Sequence, residues 1–439
     1  MNTKNSTSPG RKIKNFFLLI LQRLWICFEL YQKNGLANHA AAGAYGFLLS
    51  AAPALIIISF FVSNALVNSP ELAADMLRQI HFISGVLNAE DAVRNFLSSA
   101  NSGLGGFFSL ITIFWTTRLC ALSIRRGLGV VFPGPRLSPL RSTAITLGLG
   151  FLIILFIFVM LLGSKFALDL YNFAKYKFTL SFYYPFLYLP VIFFSLLCLT
   201  LITLISYRIV PANPPGWKFI IPGALVCMIF YQLFSAGLSL LINPDKYNLL
   251  YGNLGRLFIF LVNVFFFFTF FLFGAQFIKV QNSSDALVFI SFKRLLAKGN
   301  TPRLPKILSW ARPWEKLFAS LPASLEKYRK AYRKGELVFT KGSKEQEVYY
   351  ILTGTAGVYL DKECLNRIAL IDETHFFGEM EFNESEGRSA SIIAETDLSV
   401  MALPRPLFRS IVENDPDTDR NLVMDLSERL RSNNKRVIS

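Results

Sequence analysis

The stretch FFGEMEFNESEGRSASI, Phe376–Ile392, places a glycine and a carboxylate at Gly378 and Glu379 and, nine positions after the glutamate, an arginine and a serine at Arg388 and Ser389. Glycine lets a backbone approach an anion closely, and a short helix start behind it aims free N–H groups at that anion. Arginine offers phosphate a two-pronged charge-assisted pair, and serine adds a donor. Read singly these residues say little: Gly-Glu can merely open a helix whose dipole favours the acid, and GRS can be a surface turn. The surroundings give the pattern weight. Upstream, GELVFTKGSKEQEVYYILTGTAGVYL (335–360) alternates apolar and polar residues between glycine-containing turns, with a strand, a turn near Gly354 and a second strand. Downstream, SASIIAETDLSVMALPRPLF (389–408) supplies two more strands. The expectation is a small β roll around a phosphate-holding loop, between helical PWEKLFASLPASLEKYRKAY and helical FRSIVENDPDTDRNLVMDLSERLRSNNKRV.

The preceding two thirds of the chain are of another kind. Over 439 residues the sequence is 53% hydrophobic and only 17% charged, too apolar for an ordinary soluble protein of this length. The net charge of +16 comes from lysines and arginines beside the apolar runs and in the segment after them, which is the distribution of cytoplasmic loops rather than of a nucleic-acid-binding surface. Cys27, Cys120, Cys198, Cys227 and Cys364 stand alone, and His39, His81 and His375 are scattered singly, so neither a disulfide framework nor a metal centre is expected. RKIKNFFLLILQRLWICF near the start lacks a small-residue cleavage site after its apolar core and is read as retained.

A bilayer span takes about 20 mostly apolar residues. Six stretches qualify, at 39–66, 104–131, 142–170, 180–207, 219–243 and 255–280, while the charged helix before them, 11–33, is expected to lie in the interface with Trp25 near the headgroups. The loop 68–103 carries more acid than base, and SIRRGLGVVFPGPRLSPLR (123–141) is strongly basic, so the positive-inside rule places both termini in the cytoplasm. Arg118, Lys165, Asp169 and Arg256 lie in or near spans, where ionisable groups face a bundle interior or a wet cavity. For Lys165, Asp169 and Arg256 snorkelling to the outer interface is the preferred reading, whereas Arg118 sits about halfway along its span.

Two resemblances follow from these residues. Leu49, Ser50 and Pro53, then Val210-Pro211, Gly223-Ala224, Tyr251-Gly252 and Gly274-Ala275, in this order and spacing, resemble the YihY/BrkB family of bacterial inner-membrane proteins over residues 15–285. The resemblance implies a six-helix fold of transport type. Where that family usually has glutamate and often has tryptophan, this chain has Gln276 and Asn263, and an amide cannot relay protons as a carboxylate can. Residues 313–436 resemble a cyclic nucleotide-binding domain, which implies that Gly378, Glu379, Arg388 and Ser389 hold the ligand, Glu379 accepting the ribose 2′-hydroxyl. Two departures stand in the loop. Glu381 puts a carboxylate where a small residue usually faces the phosphate, and Gly387 replaces the usual proline. A domain closed by an internal Glu381–Arg388 pair is the alternative.

The expected architecture is thus an α-helical integral membrane bundle of six transmembrane helices plus an N-terminal interfacial helix, with a C-terminal α+β cyclic nucleotide-binding β-roll domain. Its boundaries are 1–36, 37–281, a basic linker at 282–312, and 313–439. The expected function is a multi-pass protein of the bacterial inner membrane, of transport type, controlled by cAMP or cGMP; the alternative is a membrane-anchored sensor or scaffold with a non-binding nucleotide domain. No enzyme, resident cofactor or metal is expected, since clustered carboxylates or histidines are missing. Expected partners are the lipid bilayer and a cyclic nucleotide, with a homo-oligomer left open and nucleic acid disfavoured. A polar-lined cavity containing Arg118 or Asn263, together with Gln276, would mark a membrane site.

Overall fold

The structure is a computed structural model that describes residues 9–65, 118–135, 138–152, 189–241, 253–298, 324–360, 367–379 and 387–420, with a few single positions between them. The chain divides into two units, one of Cys27–Asn282 and one of Met1–Ile26 with Ser283–Ser439.

The first unit is helical. Its elements are α1 (Pro9–Lys33, shared with the other unit), α2 (Leu36–Ala65), helical segments at 118–131 and 139–152, α3 (Leu189–Ile209), α4 (Trp217–Leu241) and α5 (Asn253–Asn282). Among the described residues two helices are long and apolar enough to cross a membrane, Trp217–Leu241 and Leu257–Asn282, and Leu196–Ile209 is a shorter apolar one. Side-chain exposure fits a lipid environment: Ile221, Leu225, Ile229 and Leu233 form an exposed stripe at four-residue spacing along α4, and Phe193, Leu197 and Leu201 do the same along α3. Such continuous apolar faces are costly in water and natural against acyl chains. Of the six expected spans, 104–117 and most of 153–188 fall outside the described residues, as do Lys165, Asp169 and the side chain of Arg256.

Without a hydrophobic drive between helices in lipid, packing shape decides association. The two Gly-Ala pairs singled out in the sequence meet here: a Cβ on Gly274 would lie 2.7 Å from the carbonyl oxygen of Gly223 and 2.7 Å from the Tyr207 hydroxyl, and one on Gly223 would lie 2.9 Å from the oxygen of Gly274. Above this backbone approach the helices interleave aromatic rings, with Phe234 stacked on Phe266 at 3.9 Å and Tyr231 edge-on to Phe267 at 5.4 Å. Tyr207, fully buried on α3, donates to the oxygen of Phe271 at 2.5 Å and ties the third helix to the pair.

The second unit contains the roll. Eight strands, β1 (Arg329–Tyr332), β2 (Leu337–Phe339), β3 (Glu347–Thr353), β4 (Ala356–Tyr359), β5 (Arg367–Ile371), β6 (Phe376–Phe377), β7 (Ser391–Ala394) and β8 (Leu398–Pro404), form two four-stranded antiparallel sheets ordered β1-β8-β3-β6 and β2-β7-β4-β5. Alternate residues of both sheets, among them Phe339, Tyr349, Ile351, Phe377, Ile392 and Val400, fill the core between them. The expected turn lies at Gly354, with φ +92°. One expectation fails: the end of PWEKLFASLPASLEKYRKAY is not helical. Glu326–Tyr328 is a single 3-10 turn and RKAY is β1, because its backbone pairs with β8, Arg329 opposite Met401, and that ladder outweighs local helix preference. Among the described residues, helices α6 (Ser284–Lys298) and α7 (Arg405–Asn414) and a helical segment at 416–420 also belong to this unit.

The glycine contact carries a test of opposite signs on one helix pair. Gly274→Ala should lower the stability of the purified protein by about 1–3 kcal/mol because the new methyl has no room, whereas Gly237→Ala in α4, where nothing lies within 4 Å, should leave the melting temperature unchanged or raise it through helix preference.

Candidate functional site

The candidate nucleotide site forms where β6 ends. Phe377 stacks on Tyr349 with ring centroids 5.1 Å apart and near-parallel planes, which fixes the chain direction into Gly378. Gly378 has φ +78°, and a Cβ there would come within 2.6 Å of Arg388 Nη1, so both conformation and space demand glycine. Arg388 arrives just before β7. Its N–H donates to the Ser343 oxygen at 3.0 Å and its oxygen accepts from the Gly342 N–H at 2.7 Å, while the Lys341 N–H donates to Ser391 Oγ at 3.0 Å. The same approach explains Gly387: a Cβ there would lie 2.5 Å from the Gly342 oxygen, which no proline could accept.

Arg388 is 3% exposed. Nη1 donates to the Gly378 oxygen at 2.8 Å, Nη2 donates to the Glu347 oxygen at 2.5 Å, and the group lies 4.2 Å over the Phe339 ring. A delocalised cation tolerates this placement because carbonyl dipoles and an aromatic face replace water. Glu379, 4% exposed, follows Gly378 directly; Ser389 is exposed. The structure thus brings Gly378, Glu379 and Arg388 into one buried place with Ser389 at its edge, and Glu381 lies outside the described residues. Phe339 and the Glu347 carbonyl were not foreseen. A main-chain acceptor leaves no trace in residue type, and Phe339 reads simply as a strand residue.

In the membrane unit Asn263 lines a cavity of about 470 Å³, together with Thr203 and Ser206 of α3, Tyr231 and Ser235 of α4, Cys120, and apolar side chains including Phe260, Phe267 and Phe271. Arg118 is exposed and is not among the described lining residues. Gln276 is 0% exposed, and neither amide atom has a hydrogen-bond partner among the described residues. Sequence reasoning passed over the α3 and α4 hydroxyls, although Thr200, Thr203 and Ser206, three apart in an apolar run, and Tyr231 and Ser235, four apart, already mark polar faces at helical spacing.

A family model described as Virulence factor BrkB matches residues 27–287, more than half of the chain. The chain belongs to the BrkB family. A second model, the cyclic nucleotide-binding domain, matches residues 329–415 of this BrkB-family chain. Among solved structures, similarity is found to the catabolite activator protein of Thermus thermophilus, at 26% identity over 27% of this chain and 60% of that one, with a TM-score of 0.23. A transcriptional regulator from Thermotoga maritima is similar at 20% identity over 25% of this chain and 87% of that one, TM-score 0.23. The EAL enzyme Bd1971 in its cAMP-bound form is similar at 25% identity over 24% of this chain and 29% of that one, TM-score 0.20. This chain therefore spans less than two thirds of the first of these structures. No curated protein matches the chain.

In this BrkB-family protein the residues 284–298, within the stretch expected to be a basic linker, form α6 and pack on the nucleotide-binding domain at three places. At its start Asp285 accepts from Lys327 Nζ at 2.7 Å and from the Tyr328 hydroxyl at 2.9 Å. In its middle Phe289, fully buried, meets Tyr350 edge-on at 5.2 Å and Phe376 at 6.2 Å, and Phe376 in turn meets Phe408 of α7 at 5.4 Å. Near its end Arg294 pairs with Asp415 at 2.8 Å, and Lys293 donates to Thr418 at 2.6 Å and lies 3.9 Å from Asp415. Burial pushes the Asp415 carboxyl up, but the hydrogen bonds from Thr418 and Arg294 and the charges of Arg294 and Lys293 outweigh it and hold its pKa below the usual value. Since the folded carboxyl titrates below the unfolded one, its stabilisation is complete above the unfolded pKa of about 3.9 and vanishes as pH falls through the lower folded value. Asp415→Asn should destabilise the full-length protein by about 2 kcal/mol at neutral pH; the gap between variant and parent melting temperatures should narrow on acidification below pH ~4.

Proposed function

We propose that this protein is a multi-pass protein of the bacterial cytoplasmic membrane, with both termini in the cytoplasm, whose six-span domain is of transport type and is controlled by a cyclic nucleotide, cAMP or cGMP, bound at Gly378, Glu379, Arg388 and Ser389. The observation that carries the reading is the short path from site to helix: Gly378 follows Phe377 and Phe376, and the Phe376 ring faces Phe289 of α6, which begins two residues after the last apolar helix ends at Asn282. A cyclic phosphate that draws Arg388 toward itself loosens the bond to the Gly378 oxygen, and the strand behind it carries the aromatic contact. Control of this kind requires that the nucleotide bind two states of the domain unequally.

A second reading has its own support. The Arg388 guanidinium already has two carbonyl acceptors and an aromatic face, so both of its terminal nitrogens are engaged by the protein itself. In that case the domain is a rigid, non-binding module and the protein a membrane-anchored scaffold. Calorimetric titration of the full-length protein in lipid nanodiscs separates the two. The regulated reading expects saturable binding of cAMP or cGMP, weakened by about tenfold or more in Arg388→Ala, the scale of a lost charge-assisted phosphate contact. No binding of either nucleotide, or an unchanged affinity in the variant, overturns it.

A further inference from the structure

We propose that the cavity of the membrane unit is a binding site for an uncharged, largely apolar molecule that carries hydrogen-bonding groups. Three helices bring residues with polar groups to the wall of one largely apolar space: Ser206 from α3, Tyr231 and Ser235 from α4, and Asn263 from α5. Asn263 uses one N–H on the Ile259 oxygen of its own helix at 3.0 Å, and Thr203 spends its hydroxyl on the Leu199 oxygen at 2.8 Å. The hydroxyls of Ser206, Tyr231 and Ser235 and the Oδ1 of Asn263 make no hydrogen bond to another described residue. Polar groups left so in an apolar surrounding call for a partner.

The remaining wall says what that partner is. It is made of Phe260, Phe267, Phe268 and Phe271 with aliphatic side chains, and no lysine, arginine, aspartate or glutamate is among the described lining residues. An ion entering this space would shed its hydration without a counter-charge, whereas a neutral molecule with an aromatic or aliphatic body would bury that body against the rings. A bare acyl chain would leave the hydroxyls and the amide unanswered. The volume of about 470 Å³ lies in the range of small-molecule pockets. The site is therefore selective by charge and polarity rather than by a titrating group. The inference rests on the membrane reading of this unit and is independent of nucleotide control.

The test uses two fluorescent probes that differ by one sulfonate, neutral N-phenyl-1-naphthylamine and anionic 1-anilinonaphthalene-8-sulfonate, titrated into full-length protein in nanodiscs against empty nanodiscs. The neutral probe should show a saturable excess signal that Ser235→Leu, which fills the cavity, abolishes. Asn263→Asp should weaken it by about tenfold or more, because a charge is placed in an apolar wall, while Asn263→Ser should keep it within about threefold. The anionic probe should show no signal that responds to Ser235→Leu. Gel filtration of each variant checks that it folds. A neutral-probe signal absent in the parent, or indifferent to both Ser235→Leu and Asn263→Asp in folded protein, overturns the site, as does equal binding of the anion. Cyclic nucleotide titration of the same samples reports on the other half of the protein, so failure of one reading is distinguishable from failure of the other.

Discussion

A guanidinium held almost entirely out of water is the constraint on which the nucleotide-domain unit is built. Left unpaired, the Arg388 charge would cost several kcal/mol; carbonyl oxygens of Gly378 and Glu347 and the face of Phe339 take the place of solvent. Each of those partners fixes something else. The bond to Gly378 leaves no room for a Cβ and so imposes glycine, with its positive φ, at the end of β6. The bond to Glu347 pins the first residue of β3, and the backbone pairing of Arg388 with Gly342 and Ser343 closes the connection between β2 and β3. The aromatic rings that line the cation belong to the core that joins the two sheets. A ligand that competes for Arg388 therefore acts on the fold itself, and that is the physical basis on which such a site can report occupancy.

The membrane unit solves its packing by opposite means. Among the described residues shape contacts lead: glycine against glycine between α4 and α5 and interleaved phenylalanine rings, with the Tyr207 hydroxyl on a main-chain oxygen beside them. Gln276 belongs to this economy. The family resemblance leads one to expect glutamate there, yet the position is fully buried and offers neither donor nor counter-charge among the described residues. An ionised carboxylate would stand unpaired in that place, and the amide keeps the shape while removing the charge. The described wall of the cavity is uncharged in the same way.

How much of this was legible in the residues differs between the halves. The strands on either side of Gly354 and the turn itself follow from alternation, because a β roll imposes it on its sequence, and the loop pattern with the family resemblance was enough to group Gly378, Glu379 and Arg388 at one place. The role of Gly387 was hidden, since only the distance to Gly342 shows why proline is absent. The strand at Arg329–Tyr332 was read as helix because its partner β8 lies seventy residues away and local preference knows nothing of it. Lys293 and Arg294 belong to the basic segment after the last apolar run, where only their charge is legible. They also hold Asp415, a contact between residues more than a hundred positions apart that no local pattern encodes. In the membrane unit the order of Val210-Pro211, Gly223-Ala224 and Gly274-Ala275 was enough to see a family resemblance, while the cavity needed three helices to be assembled before its polar groups converged.

The way α6 is held decides where a nucleotide signal would go. Displacement of Phe376 could be absorbed by sliding α6 over the roll, or passed on by moving α6 with it. Sliding would break the Asp285 cluster at one end of the helix and the Asp415 cluster at the other. Breaking the charged hydrogen bonds on Asp415 alone costs about 2 kcal/mol, a sizeable part of a whole binding free energy of about 8 kcal/mol for a micromolar ligand. Moving the helix as a body breaks neither cluster. Under the proposed control, the polar clusters on α6 are therefore what keep this helix moving with the roll rather than over it.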